Sequence, residues 1–346
     1  MLTATRHILE MIRFSHTLFA LPFALLAMLM AYALPRTDAA YTIFSGPFVT
    51  RHHYAEIFGY EVRVPDWMAS PIISPYSVVA DVEFRTKPPF AIILLGVIAC
   101  MVFARSAAMA FNRIADWKFD AQNPRTDKRH IPAKVLSLSS VVLFCVVCSA
   151  LFILSTLIFL PNRLPLYLSV PVLVFLLAYS YTKRFTALAH FWLGAALMLT
   201  PICAWIAVRG EIVLQRPADL LPAMILGLGV MLWVAGFDII YACQDAAFDK
   251  RAGLHSIPAK IGVPRALHLS ALCHAGTVVA WAVLPWFFAP FGWIYWTGLA
   301  VVAMLLLYEH SLVRPNDLAR VNQAFFNVNA IVSVGLLIVG ALDLLT

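Results

Sequence analysis

Asn112-Arg-Ile-Ala-Asp116-Trp-Lys-Phe-Asp120 closes one long apolar run of this chain, and Asp238-Ile-Ile-Tyr241-Ala-Cys-Gln-Asp245-Ala-Ala-Phe-Asp249 closes another. The same tetrapeptide follows each: Ile131-Pro132-Ala133-Lys134 after the first, Ile257-Pro258-Ala259-Lys260 after the second. The chain has only 18 Asp and Glu in 346 residues, and five of them stand at helical spacing in these stretches. A carboxylate near a bilayer is costly unless paired or bound to metal, so such residues are functional candidates by default. Two clusters point to one site that holds divalent metal against a highly charged anion.

The surrounding composition sets the solvent. Hydrophobic residues make up 62% of the chain and charged residues 12%, against roughly 25% charged in a soluble domain. This identifies an integral membrane protein. A helix needs about 20 residues to cross a core of about 30 Å, and nine runs qualify as spans: roughly 14–35, 89–111, 135–160, 164–181, 186–208, 218–241, 265–288, 291–309 and 321–345. The alternating pattern of a membrane β-barrel is missing. The expected architecture is an all-α bundle of about nine transmembrane helices, forming a single membrane domain over 1–346. The first run is too long for a cleaved signal and lacks a convincing small-residue cleavage site.

Lys and Arg orient the bundle. With the N-terminus inside, the cytoplasmic segments hold 16 of these residues and the outer segments 8, with Arg105 inside a span. This bias places the N-terminus and both acidic motifs on the cytoplasmic side, as in a bacterial-type inner membrane. It also accounts for most of the formal charge of +7, so that charge does not imply nucleic-acid binding.

Pro132 and Pro258 lie 126 residues apart, and four spans separate the two motifs. An even number of crossings makes two parallel pseudo-repeats, whose equivalent ends share one face. The motifs then face each other across a central cavity. Residues 36–88, polar and containing Pro47, Pro65, Pro71 and Pro75, read as an extracytoplasmic insertion between the first two helices. Of the six cysteines, Cys145 and Cys148 form a CxxC inside an apolar helix with no partner pair. That placement suits helix packing rather than zinc or redox chemistry.

Asn112, Asp116 and Asp120 are spaced i, i+4, i+8 and drift about 40° per step, so they share a helix face. Asp238, Asp245 and Asp249 fall within about 40° of one another on a second helix, with Tyr241 on the adjoining face. Hard oxygen ligands in this number suit Mg²⁺, which typically bridges carboxylates to substrate phosphates. Around them stands a basic set: Arg105, Arg125, Lys128, Arg129, Lys183, Arg184, Lys250 and Arg251. Carboxylates, metal and basic residues together are what a diphosphate leaving group requires.

On these motifs the chain resembles the UbiA superfamily of intramembrane aromatic prenyltransferases. The stretch from Asn112 to Asp120 is similar to that family's first aspartate-rich motif, and the stretch from Asp238 to Asp249 to the second. Tyr179-Ser-Tyr-Thr-Lys183-Arg184-Phe-Thr resembles its conserved loop after the fourth helix. The resemblance implies Mg²⁺-dependent transfer of a polyprenyl group from polyprenyl diphosphate to an aromatic hydroxy acid, in ubiquinone or menaquinone synthesis. It implies metal and diphosphate contacts for Asn112, Asp116, Asp120, Asp238, Asp245 and Asp249. Arg125, Arg129, Lys183 and Arg184 would contact diphosphate oxygens. Arg105 would anchor the acceptor carboxylate, and Tyr179 or Tyr241 would face the allylic cation.

The chain departs from the family pattern in having Asn112-Arg113 where many members have Asn-Asp, in Ala246-Ala247, and in the length of segment 36–88. Arg13-Phe-Ser-His16-Thr-Leu-Phe-Ala-Leu-Pro-Phe and Tyr241-Ala-Cys-Gln-Asp245 resemble a bacterial 4-hydroxybenzoate polyprenyltransferase-like branch. Members of that branch are tied to the futalosine-type menaquinone route, so the acceptor is either a 4-hydroxybenzoate or a dihydroxynaphthoate. Two other prenyl-transferring readings are a haem or a lipid prenyltransferase. A transporter would carry its acids near the bilayer centre rather than at helix ends. The longer aspartate pattern of a CDP-alcohol phosphotransferase is not present.

Overall fold

The computed structural model describes residues 7, 11, 19–34, 54–57, 60–63, 89–318, 320–321 and 324–346. The segment from Arg13 to His16 and most of 36–88, both given a reading from sequence above, lie outside the described residues. Within 36–88, strands β1 (Tyr54–Ile57) and β2 (Tyr60–Arg63) pair antiparallel, with Tyr54 opposite Arg63 and Ile57 opposite Tyr60. The sequence reading does not foresee this hairpin.

The rest is helical: α1 (Leu21–Ala33), α2 (Phe90–Asp120), α3 (Leu138–Ser155), α4 (Leu164–Thr182), α5 (Ala189–Gln215), α6 (Leu221–Ala242), α7 (Ala246–Arg251), α8 (Ile257–Ile261), α9 (Val263–Phe287), α10 (Trp293–Leu312) and α11 (Asn329–Asp343). Helices dominate because lipid offers no partner for a backbone N–H or C=O, and a helix satisfies both within itself. Among the described residues, seven helical segments are long and apolar enough to cross a membrane, against the nine expected. The expected first and eighth spans correspond to α1, with 13 described residues, and to α10, which is 20 residues long.

Helix α6 is the central post, packed by α5 on one side and α9 on the other. Gly194 of α5 faces the backbone of Met231, and a Cβ there would collide with the Met231 carbonyl oxygen. Small residues let membrane helices approach this closely where no hydrophobic effect drives association. Trp205, Trp233 and Trp281 are fully buried around α6.

A polar chain ties α6 to three further helices. Trp233 Nε1 donates to Asn329 Oδ1 at 2.6 Å, and Asn329 Nδ2 donates to Glu309 Oε1 at 3.0 Å. His274 shares a 3.0 Å hydrogen bond with His310.

Helix α5 runs beyond its expected end at 208 and kinks at Arg209, whose φ/ψ of −122°/17° are non-helical. Arg209 counts among the outer charges by sequence. In the structure it is buried, bonded through Nε to Asp219 Oδ2 at 2.9 Å and through its terminal nitrogen to Asp219 Oδ1 at 2.7 Å. Asn162 Nδ2 donates to the Ile206 carbonyl at 2.7 Å, which helps satisfy the bent backbone.

The repeated tetrapeptides occupy equivalent places, each between an acidic motif and the next long helix. Their local structures differ. Residues 131–134 form a turn that ends with Lys134 at φ 58°, whereas Ile257–Ile261 is the short helix α8, capped by the Ser256 hydroxyl and ended by Gly262 at φ 82°. A left-handed residue closes both. Glycine enters that region without Cβ strain, while lysine does so uncommonly.

Candidate active site

Helix α2 continues past the expected span end at 111 and carries the whole first motif to Asp120. Its spacing puts Asn112 Nδ2 2.9 Å from Asp116 Oδ2, which accepts the hydrogen bond. From the turn after α4, Arg184 donates to the Ala115 carbonyl at 2.6 Å and stands 3.5 Å from Asp116 Oδ1. Its guanidinium lies 4.7 Å from the Tyr181 ring centre and 5.4 Å from that of Phe119. Asp120 ends the helix. Its Oδ1 accepts from Arg129 at 2.6 Å, and its backbone carbonyl accepts from Thr126 Oγ1 at 3.1 Å. Both contacts fold the following loop back over the helix end.

The second motif does not stay on one helix, contrary to the sequence reading. Helix α6 ends at Ala242, a 3-10 turn spans Cys243–Asp245, and α7 begins at Ala246. Asp245 adopts φ −99°, ψ 1°, in the bridge region common in tight turns and at active-site residues. The turn tilts Asp245 toward the first-motif loop. There Arg125 grips it: Nε donates to Oδ1 at 2.8 Å, and a terminal nitrogen donates to Oδ2. Asn123 Nδ2 adds a 3.4 Å contact to Oδ1. The remaining terminal nitrogen of Arg125 donates to the Tyr241 hydroxyl at 2.8 Å, with the guanidinium 5.1 Å from that ring's centre. Burial opposes the Arg125 charge, but the hydrogen bonds and charge of Asp245, with Tyr241, outweigh it and raise the pKa above the ordinary arginine value.

Asp238, still on α6, is held differently. Its Oδ2 lies 2.7 Å from Nδ1 of His190, a fully buried residue in the first turn of α5.

Two cavities meet at these side chains. The smaller, of about 190 Å³, is polar and includes Asp116, Asp120, Arg125, Lys183, Asp245 and Asp249 in its wall. The larger, of about 380 Å³, is mostly apolar and runs along α2, α4 and α5 from Tyr179 to Pro165; Arg105 is in its wall. Asn112, Arg129, Tyr179, Asp238 and Tyr241 line both. All thirteen residues singled out for metal, diphosphate and acceptor therefore border one or both cavities. Three members of the wider basic set do not: Lys128, Lys250 and Arg251 are exposed and line neither.

Three polar groups in the walls are poised without partners. Asp120 Oδ2, Asp249 Oδ2 and Arg105 Nε are buried and make no hydrogen bond among the described residues. A buried polar atom left unpaired costs about 1–3 kcal/mol. Among the described residues no cluster of three His, Cys, Asp or Glu is preassembled around a metal position.

Sequence reasoning misses His190, Asn123 and Thr126. His190 is a lone histidine between apolar residues, 48 positions from its partner, and no local spacing marks it. Asn123 sits three residues after Asp120 in a polar loop, where a turn residue is the ordinary reading.

Residues 73–331 match the UbiA prenyltransferase family. The 4-hydroxybenzoate octaprenyltransferase of Aromatoleum aromaticum is 30% identical over 264 residues, covering 72% of this chain and 82% of that protein. The same-named protein of Azoarcus sp. is 32% identical over 248 residues, covering 70% and 80%. Among solved structures, a UbiA homologue from Aeropyrum pernix K1 superposes with a TM-score of 0.67 at 27% identity, covering 93% of this chain and 95% of that one. A UbiA homologue from Archaeoglobus fulgidus bound to DMAPP and Mg²⁺ shares the fold, with a TM-score of 0.58 at 16% identity and coverage of 98% and 99%. A helical multi-pass bundle, two acidic motifs brought to one end and this range of matches lead to one conclusion: the chain belongs to the UbiA prenyltransferase family and is a membrane prenyltransferase.

Proposed function

We propose that this enzyme transfers a polyprenyl group from polyprenyl diphosphate to an aromatic hydroxy acid, of the 4-hydroxybenzoate or dihydroxynaphthoate type, in respiratory quinone synthesis. The observation that carries the reading is the junction of the two cavities. A polar chamber bearing both acids and guanidinium groups opens directly onto a long apolar one, as a diphosphate with a hydrocarbon tail requires. The names of the relatives support the acid class.

In this reading the diphosphate lies in the smaller cavity against Arg125, Arg129, Lys183 and Arg184. Asn112, Asp116, Asp120, Asp238, Asp245 and Asp249 would hold magnesium and the diphosphate bound to it. The donor set fits that ion: all side-chain oxygens, two of them buried and unpartnered. Mg²⁺ needs only one or two carboxylates, completing its shell with water and phosphate oxygens. When bound, it neutralises the charge that builds on the departing diphosphate. Arg125, Arg129 and Arg184 already pair with acids of the site, so ligand binding would exchange their partners.

The prenyl C1–O bond breaks with its electron pair leaving on the diphosphate. A ring carbon of the acceptor attacks C1, and the ring loses a proton. Arg105 stands in the wall of the larger cavity with its Nε unpartnered among the described residues, and there it would bind the acceptor carboxylate. Tyr241 gives a ring face to Arg125, which leaves Tyr179 as the better placed aromatic face for the allylic cation.

The active end faces the cytoplasm of a bacterial-type inner membrane, by the Lys and Arg bias. The chain is one membrane domain with 36–88 as an outer insertion.

The test is a side-by-side assay in membranes with one labelled long-chain prenyl diphosphate and each acid. Transfer should require Mg²⁺ and cease with a chelator. Undiminished transfer by Asp116→Ala or Asp245→Ala would overturn the site assignment, and transfer to neither acid would overturn the acceptor class.

A further inference from the structure

Five acids line the smaller cavity, and the structure treats them unequally. Asp116, Asp120 and Asp245 each face an arginine: Arg184, Arg129 and Arg125 respectively. Asp249 has a buried oxygen with no partner. Asp238 alone is held by a histidine, and that hydrogen bond is the one its carboxylate makes among the described residues. It is also the one aspartate in the walls of both cavities.

His190 is fully buried and tied at both ring nitrogens. The backbone N–H of Ile257 points at Nε2 from 3.4 Å, so Nε2 accepts and the ring proton lies on Nδ1, where it is donated to Asp238 Oδ2. Three segments thereby meet at one imidazole: the start of α5, the end of α6 and the start of α8. A second bond, from the His255 N–H to the Lys183 carbonyl at 2.7 Å, ties the loops that flank this hub. A histidine constrained on both sides cannot turn, so the carboxylate it grips is fixed as well. Oδ1 of Asp238 is left without a protein partner among the described residues.

We propose that His190 is a positioning residue for prenyl transfer: its Nδ1–H fixes the Asp238 carboxylate so that one oxygen faces the junction of the two cavities. The inference rests on the reading that these cavities hold the diphosphate and the acceptor. An arginine in the same place would occupy both oxygens or cancel the charge, as Arg125 does at Asp245. A single N–H donor leaves the carboxylate negative beside the carbon from which diphosphate departs. Partners that orient a ligating or reacting group typically contribute about 10- to 100-fold.

Four variants test this: His190→Ala, His190→Asn, Asp238→Asn and the double variant His190→Ala/Asp238→Asn. The asparagine amide places an N–H donor near the Nδ1 position but offers nothing to Ile257. Two readouts are needed: kcat and KM for transfer, and the rise in melting temperature that Mg²⁺ with inorganic diphosphate gives the detergent-solubilised protein. His190→Ala should lower kcat about 10- to 100-fold, raise KM for the prenyl diphosphate while leaving KM for the acid little changed, and shrink the thermal shift. His190→Asn should recover most of both. In the Asp238→Asn background, His190→Ala should have no further effect. A loss just as large in that background, or no rescue by asparagine, would overturn the proposal and leave His190 as a brace for Ile257. If the unsubstituted enzyme transfers to neither acid, the acceptor reading fails, and the thermal-shift arm still decides the role of His190.

Discussion

Arg125 and Asp245 are 120 residues apart, and their side chains are joined by two hydrogen bonds, one from Nε and one from a terminal nitrogen. The contact links the loop after the first acidic motif to the turn inside the second. It is the physical seam between the two echoing halves of the chain. Paired charge-assisted bonds of this kind are stronger and more directional than neutral ones.

Arg125→Lys should therefore behave much like Arg125→Ala. A lysine supplies one point charge and cannot reproduce the fork. Losing a charged hydrogen bond costs about 1.5–3 kcal/mol, so transfer should fall about ten- to hundred-fold in both variants. Steady-state kinetics checks this, and full activity of the lysine variant would show that charge alone suffices.

Asp249→Asn should separate stability from activity. The carboxylate is almost fully buried, and Oδ2 has no partner among the described residues. Removing its charge relieves a desolvation cost in the ligand-free protein, and a group kept under strain for function commonly shows this trade. The variant should melt higher without Mg²⁺, by about 1–2 kcal/mol, and transfer more slowly. Thermal denaturation in detergent, with and without Mg²⁺, reads both effects.

Arg105→Ala should raise KM for the aromatic acid about ten- to hundred-fold, the worth of a lost charged hydrogen bond, and leave KM for the prenyl diphosphate unchanged. The same variant should stop distinguishing the acid from the corresponding phenol without its carboxylate. Competition between the two acceptors measures this, and unchanged discrimination would remove Arg105 from acceptor recognition.

Asn329→Leu should act on the fold alone. It strands the Trp233 indole N–H and takes a donor from Glu309, both fully buried. The expected loss is about 1–3 kcal/mol of stability, toward the lower end because polar contacts between membrane helices are often weak. Activity at a permissive temperature should persist, and a melting curve beside a transfer assay tests both parts.

Much of this protein is legible locally. Apolar length marks the spans, because a bilayer demands about 20 helical residues. The i, i+4, i+8 spacing of Asn112, Asp116 and Asp120 survives intact, because α2 is one unbroken helix and helical period is a property of neighbouring residues. The same logic fails for Asp238, Asp245 and Asp249. The 3-10 turn at Cys243–Asp245 changes the period midway, and Asp245 in that turn is bonded to a loop that no window around it contains.

By itself, then, the amino-acid sequence determined the membrane bundle, its two-fold echo and the residue types of the site. Each of these depends on hydrophobic length, helical period or composition, all of which act over a few turns. Only the tertiary structure decided which donor holds which acid: Arg125 on Asp245, Arg129 on Asp120 and His190 on Asp238. It also placed the apolar cavity against the polar one. The physical reason is that hydrogen bonds between distant segments depend on how helices pack, and α5, α6 and α8 bring His190, Asp238 and Ile257 together without any short-range signal of their meeting.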